Sequence, residues 1–395
     1  MANTINHLKK VLNLSDLVLF GISSILGSGG FNLVGKAIQD GGKYFPLTLL
    51  LSGALFMGSA HSYSYAHDTF ESNISETKLI EKVFGSFGKY SSAISIMLYN
   101  IFATATILVF CSKLLFPDKS WLEQVSFALL LLSMMTFAAF QQLDLNKEII
   151  NIFSLLIILV LGSSTFLGVT KIVEEPFKMP SFPKEINLYE SLLFFFFILA
   201  GHDTLIKFSE ETKDPKDIDR SMYISIGISI LLTAGLCLAA VTWITDFKTT
   251  NVNDIIADIF EKAFNSKIGK YIGFTAIACM ITTTFIGFLG TIRYAYGLPE
   301  QIPNLEFIKA GGDGNVSHIS ILIISILCML AILINQTTSL VELSDVALII
   351  TLLFVSVSAF YEKYKKGWTP VSDGLTSSGL LGILGLTINK HFFNI

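Results

Sequence analysis

Two long apolar stretches of this chain carry glycine and polar residues at their middles. One reads Gly21-Ile22-Ser23-Ser24-Ile25-Leu26-Gly27-Ser28-Gly29-Gly30-Phe31, the other Phe194-Phe195-Phe196-Phe197-Ile198-Leu199-Ala200-Gly201-His202-Asp203-Thr204. Glycine lacks a Cβ, so the backbone leaves helical geometry there at little cost and a ligand can approach it closely. A break at Gly27-Ser28-Gly29-Gly30 frees N–H donors at the positive end of the helix that follows, a setting suited to a carboxylate. The plain alternative is close helix packing by small residues. In the second stretch, unwound carbonyls near Ala200-Gly201 would accept from an ammonium, and Phe197 could close over the ligand. Asp203 is an ionisable group in an apolar segment, which is costly in a bilayer and usually functional. Its alternative role is to cap the half-helix that follows. His202 could titrate near neutral pH and carry a proton, or it is a hydrogen-bonded pocket histidine.

Elements able to hold such groups must be membrane helices. Of the 395 residues, 52% are hydrophobic and only 15% charged, against roughly 25% charged in soluble domains. Mean hydropathy is +0.63, and the apolar residues come in runs of about 20, enough to cross a hydrocarbon core. These runs predict an all-α polytopic membrane protein. A strand-built barrel would need short alternating segments instead. Eleven spans are expected, at about 14–37, 44–66, 88–116, 121–140, 149–170, 188–209, 221–245, 269–296, 316–334, 339–361 and 374–392, the last being short and rich in Gly, Ser and Thr. The connector 246–270 carries Val252, Ile255, Ile256, Ile259, Phe260 and Ala263 at helical spacing, which predicts a short amphipathic helix.

The breaks fall in spans 1 and 6. Spans 1–5 (about 14–170) and 6–10 (about 188–361) are therefore expected to form two five-helix repeats of one transport domain, followed by one extra C-terminal helix. Five is odd, so the halves would insert with opposite orientation, as in secondary transporters whose sites lie at discontinuous helices. Placing the N-terminus in the cytoplasm gives that side 15 Lys and Arg, counting Lys207 and Arg293 as loop residues, against 11 on the other. That is a mild positive-inside bias. No cleavable leader is expected, because the first apolar run is too long and lacks a small-residue cleavage site.

Other chemistry is thinly represented. A net charge of −4 argues against nucleic acid as a partner. Cys111, Cys237, Cys279 and Cys328 lack CxxC spacing and read as apolar packing residues. His61 is expected to reach toward the interface. Gly311-Gly312-Asp313-Gly314 lacks the GK[ST] of a phosphate-binding loop. No metal-ligand set or nucleophile–base pair is visible, so no enzyme and no cofactor is expected.

At these residues the chain resembles the amino acid–polyamine–organocation superfamily of permeases. Gly27-Ser28-Gly29 is similar to that family's Gly-Ser-Gly break. Phe197 to Asp203, followed by Glu210-Glu211-Thr212-Lys213-Asp214-Pro215, resembles its span-6 signature. Phe84-Gly85-Ser86-Phe87-Gly88 and Arg293-Tyr294-Ala295-Tyr296-Gly297-Leu298-Pro299 match the start of span 3 and the end of span 8. The resemblance implies a leucine-transporter-like fold of two inverted five-helix repeats. It implies donors from Gly27, Ser28, Gly29 and Gly30 to a substrate carboxylate, and carbonyls of Ile25, Phe197 and Ala200 for its ammonium. Thr104 falls where relatives place a polar pocket residue. Several positions depart from the pattern. His202 replaces the aromatic before the acid, and Asp219 stands where a proline is expected. Ser64-Tyr65-Ala66-His67 ends in histidine where the family has glutamate. Ser154-Leu155-Leu156-Ile157-Ile158 lacks the mid-span-5 lysine through which some relatives couple to protons.

The expected function is secondary transport of an amino acid by alternating access in the bilayer of the plasma membrane, with H+ or Na+ as a possible coupling ion or exchange in its place. Thr282, Thr283 and Thr284 could serve a sodium ion or simply bond their own helix. Two alternatives stand: a carrier of polyamines or organic amines lacking a carboxylate, and a transceptor-like membrane subunit with little transport of its own.

Overall fold

The computed structural model describes residues 8–27, 33–141, 143–248, 255–264, 268–310, 315–334 and 337–389. The described residues form helices and connecting turns, with isolated β-bridges at Leu12–Thr212 and Ser181–Asp246. The first expected span is two helices, α1 (Leu14–Leu26) and α2 (Val34–Gly41). A reciprocal cap starts α1: the Asn13 side chain accepts from Asp16 N at 3.0 Å, and the Asp16 carboxylate accepts from Asn13 N at 3.1 Å. This satisfies two of the amides that any helix start leaves without partners.

The remaining helices are α3 (Phe45–Phe70), α4 (Ser75–Leu115), α5 (Trp121–Ala139), α6 (Leu143–Glu174), α7 (Leu188–Ile198), α8 (Lys216–Trp243), α9 (Ile255–Phe264), α10 (Gly269–Gly297), α11 (His318–Ile334), α12 (Thr337–Lys365) and α13 (Val371–Ile388). Span 3 is longer than the hydropathy implied. Gly85, at φ +62°, kinks α4 and separates a leading helical segment from the apolar one, which is why the apolar run starts only at 88. The predicted amphipathic helix is α9, with Ile255, Ile256, Ile259 and Phe260 buried; Val252 lies outside the described residues. After α7 the chain leaves helical geometry at Leu199–Gly201 and resumes as a 3-10 helix, His202–Glu211. The final weak span is α13. Its Asp373 is held by Lys363 at 2.9 Å and by the Ser62 hydroxyl at 2.8 Å. Among the described residues, eight helical segments are long and apolar enough to cross a membrane, one of them the broken unit Leu188–Glu211, and α1 and α11 are shorter apolar helices.

Packing sets α1 against α6, α8 and α10, α7 against α2 and α3, and α4 against α10 and α12. At one end of the bundle the chain before α1 is tied to the end of the 3-10 segment. Val11 N and Leu12 N donate to Glu211 O at 2.8 and 3.0 Å, and Lys213 N donates to Leu12 O at 2.9 Å. Beneath this tie Arg293 of α10 grips the Glu211 carboxylate with Nε and with Nη2, the latter at 2.9 Å, while its guanidinium stacks 4.8 Å over Phe208.

Two residues counted above as loop cations are thus corrected. Arg293 is 4% exposed and Lys207 is 0% exposed; both are interior ion-pair members, and hydropathy averaging hid them. Without them the loop bias falls to 13 against 11. All four cysteines are free and buried.

Candidate functional site

The site begins with the geometry of one glycine. Gly201 has φ +127°, where a side chain strains the backbone. It also lies so close to α1 that a Cβ built on it would sit 2.5 Å from the carbonyl oxygen of Ser24. Its own carbonyl accepts from the Ser24 hydroxyl at 3.0 Å and from Thr204 N at 3.2 Å. The helical ladder of α7 closes with Leu199 N on Phe195 O, and Ala200 N reaches back to Phe197 O at 3.4 Å. The break in α7 is therefore docked on α1 through backbone, a contact only glycine permits.

Beside this crossing lies a cavity of about 650 Å³. Its wall is built from Ser24 of α1, Lys36 of α2, Tyr99, Asn100 and Thr104 of α4, the α7 break, Thr283 and Thr284 of α10, and Ser344 and Asp345 of α12. The volume falls in the range of small-molecule sites. Among the four consecutive phenylalanines, Phe195 and Phe196 are buried in the core, and Phe197 is the one on the wall.

The polar floor is a charged network. Asp203 is 3% exposed, and its Oδ2 accepts from Lys207 Nζ at 2.9 Å and from the Tyr99 hydroxyl. Lys207 Nζ also reaches Tyr99 Oη at 2.9 Å and Asn100 Oδ1 at 3.4 Å. So the carboxylate facing the cavity arrives already paired with an ammonium behind it. Asp203 commits its Oδ2 to this network, and the 3-10 helix, which starts after Gly201, has no side-chain cap.

Of the residues singled out in the sequence, Thr104, Phe197, Ala200, Gly201 and Asp203 stand on the cavity wall, while Ile25, Gly27 and His202 do not. Ile25 is packed in the core, and Ser24 takes the wall position beside it. Gly27 faces α10: a Cβ there would fall 1.4 Å from Thr283 Oγ1, so this glycine serves helix approach. His202 points toward α3. Its Nε2 lies 3.1 Å from Ser59 Oγ, and its ring meets Phe56 and Tyr63 edge-on. The turn after Gly201 sends consecutive side chains to opposite sides, so Asp203 faces the cavity and His202 the core. Ser28, Gly29 and Gly30 lie outside the described residues.

The sequence reading missed Tyr99, Asn100 and Lys207. Signals existed: Tyr99-Asn100 is a polar pair inside an apolar run, and Lys207 follows Asp203 by four residues across Thr204-Leu205-Ile206. Thr282 and Thr284 bond their own helix, as the plain alternative held. Thr283 also donates to Ser23 O at 2.6 Å. Ser154 of α6 shares a 2.8 Å hydrogen bond with the Ser23 hydroxyl. His61 is exposed, with Nδ1 3.2 Å from Tyr223 Oη.

The sequence profile of a family described as amino acid permease matches residues 12–386. The chain belongs to the amino acid permease family. That family is one of transporters, not of enzymes, and the chain is a multi-pass integral membrane protein. Relatives include cationic amino acid transporter 5 of Arabidopsis thaliana, 25% identical over 73% of this chain and 54% of the relative. Another is the chloroplastic cationic amino acid transporter 9 of the same plant, 22% identical over 74% and 56%. Cationic amino acid transporter 4 of Mus musculus is 23% identical over 47% of this chain and 29% of the relative. The chain spans about half the length of the two plant relatives, and the match to the mouse protein covers less.

Two outcomes test the site's construction. Gly201→Ala should cost at least about 1–3 kcal/mol from backbone strain alone, read as a lower thermal midpoint of the purified protein in detergent. Lys207→Met strands Asp203 as a buried unpaired charge and should cost about 3–5 kcal/mol. The double variant Asp203→Asn with Lys207→Met should recover most of that loss in the same melts.

Proposed function

We propose that this protein is a secondary transporter of small amino acids that works by alternating access, with substrate held in the cavity beside the α7 break. The observation that carries this reading is the cavity itself, walled by both interrupted segments and by α4, α10 and α12. The substrate ammonium is met by carbonyls of the unwound stretch at Phe197 and Ala200. Its carboxylate is met by the backbone donors of Ser28-Gly29-Gly30, because the Gly27 amide already donates to Ser23 O at 3.2 Å. Phe197 acts as the closing aromatic and Thr104 as a polar wall residue.

The Ser24–Gly201 contact supports a shared movement of α1 with the 199–211 segment. The tie between Leu12, Glu211 and Arg293 supports a state closed at that end. With the N-terminus in the cytoplasm of a cell at its plasma membrane, this is the outward-facing arrangement of two inverted repeats.

The plant and mouse relatives are named for cationic amino acids. Here the wall carboxylate nearest the break is already neutralised by Lys207, which favours substrates without a side-chain cation. Two places are candidates for coupling: the Asp203–Lys207–Tyr99 network for a proton, and the Ser23 carbonyl with Thr283 for sodium.

Purified protein in proteoliposomes should take up small neutral amino acids more than lysine or arginine. Ala103→Trp, which fills the cavity from α4, should abolish uptake while leaving the thermal midpoint unchanged. No uptake or exchange across a full amino acid panel overturns the reading, and equal competition by a decarboxylated analogue assigns the site to amines. Imposing pH and sodium gradients separately identifies the driving ion: acceleration by the pH gradient alone selects Lys207 and Asp203.

A further inference from the structure

Two residues far apart in sequence meet in space. His67 lies near the end of α3. Asp219 lies in the first turn of α8. His67 Nδ1 lies 3.5 Å from Asp219 Oδ1. The carboxylate of Asp68 joins them, so that one ligand atom from each residue falls within 4.8 Å of the other two.

The imidazole is fixed and buried. His67 is 1% exposed, and its Nε2 lies 2.9 Å from the Ser209 hydroxyl in the 3-10 segment. The other ring nitrogen, Nδ1, makes no hydrogen bond, nor does the Asp219 Oδ1 that faces it. In the tautomer whose Nε2–H donates to the Ser209 hydroxyl, Nδ1 presents a lone pair to a carboxylate lone pair; in the other, a proton on Nδ1 bridges the two. Two buried acceptors facing one another need a cation between them, because neither has water to turn to.

The spacing selects which cation. At 3.5 Å the pair is longer than a hydrogen bond, normally about 2.7–3.2 Å. It matches the edge of a tetrahedron around an ion with bonds of about 2.1 Å, the length of zinc–imidazole and zinc–carboxylate bonds. One imidazole nitrogen with two carboxylate oxygens is a donor set for Zn2+, Co2+ or Mn2+, not for an alkali ion. Asp68 is exposed, so it can close the remaining distance and water can complete the coordination. Ser209 fills the role of the outer partner that orients a metal-bound histidine.

We propose that His67, Asp68 and Asp219 form a binding site for a divalent transition-metal ion, which joins the end of α3 to the start of α8 beside the 3-10 segment. The site is separate from the cavity and does not depend on which substrate the cavity takes. A bound ion holds α3, residues 202–211 and α8 as one body, through His67, its Ser209 partner and Asp219.

The test uses the full chain, purified in detergent and stripped with EDTA. Titration with Zn2+ by calorimetry should give one equivalent per chain, and Co2+ should produce visible absorption bands of a low-coordinate site. Asp68→Asn, an exposed change that leaves the fold intact, should weaken Zn2+ binding at least tenfold. His67→Ala and Asp219→Asn should each remove it. Ser209→Ala should weaken it by about tenfold through loss of the outer partner. Absence of Zn2+ and Co2+ binding to the stripped protein overturns the proposal, meaning that a proton alone bridges His67 and Asp219. Binding that is unchanged in Asp68→Asn and Asp219→Asn overturns it as well, placing the ion elsewhere on the chain.

Discussion

The rest of the architecture depends on the backbone contact between Gly201 and Ser24. There the broken α7 rests on α1 so closely that a methyl group does not fit. The contact converts two separately interrupted helices into one crossing, joined by the 3.0 Å hydrogen bond from the Ser24 hydroxyl to the Gly201 carbonyl. Interrupted backbone is expensive in hydrocarbon because freed polar groups have no water to bond. Here it is tolerated because the break is covered on one side by α1 and borders the cavity on the other. The cavity wall follows from that crossing: α4, α10 and α12 complete a volume whose floor is set by the residues leaving the break.

Charge burial is the second organising feature. Lys207–Asp203, Arg293–Glu211 and Lys363–Asp373 are nearly or fully buried pairs. Pairs of this kind contribute little net stability, since desolvation offsets the attraction, but removing one partner is severe. Their value is in fixing which elements meet. Arg293 brings α10 to the end of the 3-10 segment, Lys363 brings α12 to α13, and Lys207 with Tyr99 brings the segment after the break to α4. Each anchors an end or the middle of the bundle, at places where apolar packing alone would allow sliding. The His67–Asp219 meeting differs from these three: its facing atoms lack hydrogen-bond partners, whereas those of the ion pairs are satisfied.

What was legible in the sequence was governed by hydropathy and by glycine. The all-helical membrane class, the α7 break and the amphipathic α9 were readable because burial in lipid demands long apolar runs and breaks demand small residues. Phe197, Asp203 and Thr104 stood out as an aromatic, an acid and a hydroxyl in apolar surroundings, and all three face the cavity. What the sequence misjudged was direction and partner. His202 and Asp203 are neighbours in the chain yet face opposite sides. Lys207 and Arg293 lay close enough to charged loops to be counted with them, because a hydropathy window averages one cation away.

The sequence by itself determined the class, the family and the position of the helix breaks. The class and the breaks follow from composition and local backbone preference, which act within a turn or two of chain, and the family follows from its motifs and the profile match over residues 12–386. Only the tertiary structure decided that Asp203 meets a lysine and a tyrosine, that Gly27 serves the approach to α10, and that His67 meets Asp219. The physical reason is that a buried polar group is satisfied by whatever packs against it. Its partner can lie anywhere in the chain, 104 residues away for Tyr99 and Asp203 or 82 for Glu211 and Arg293.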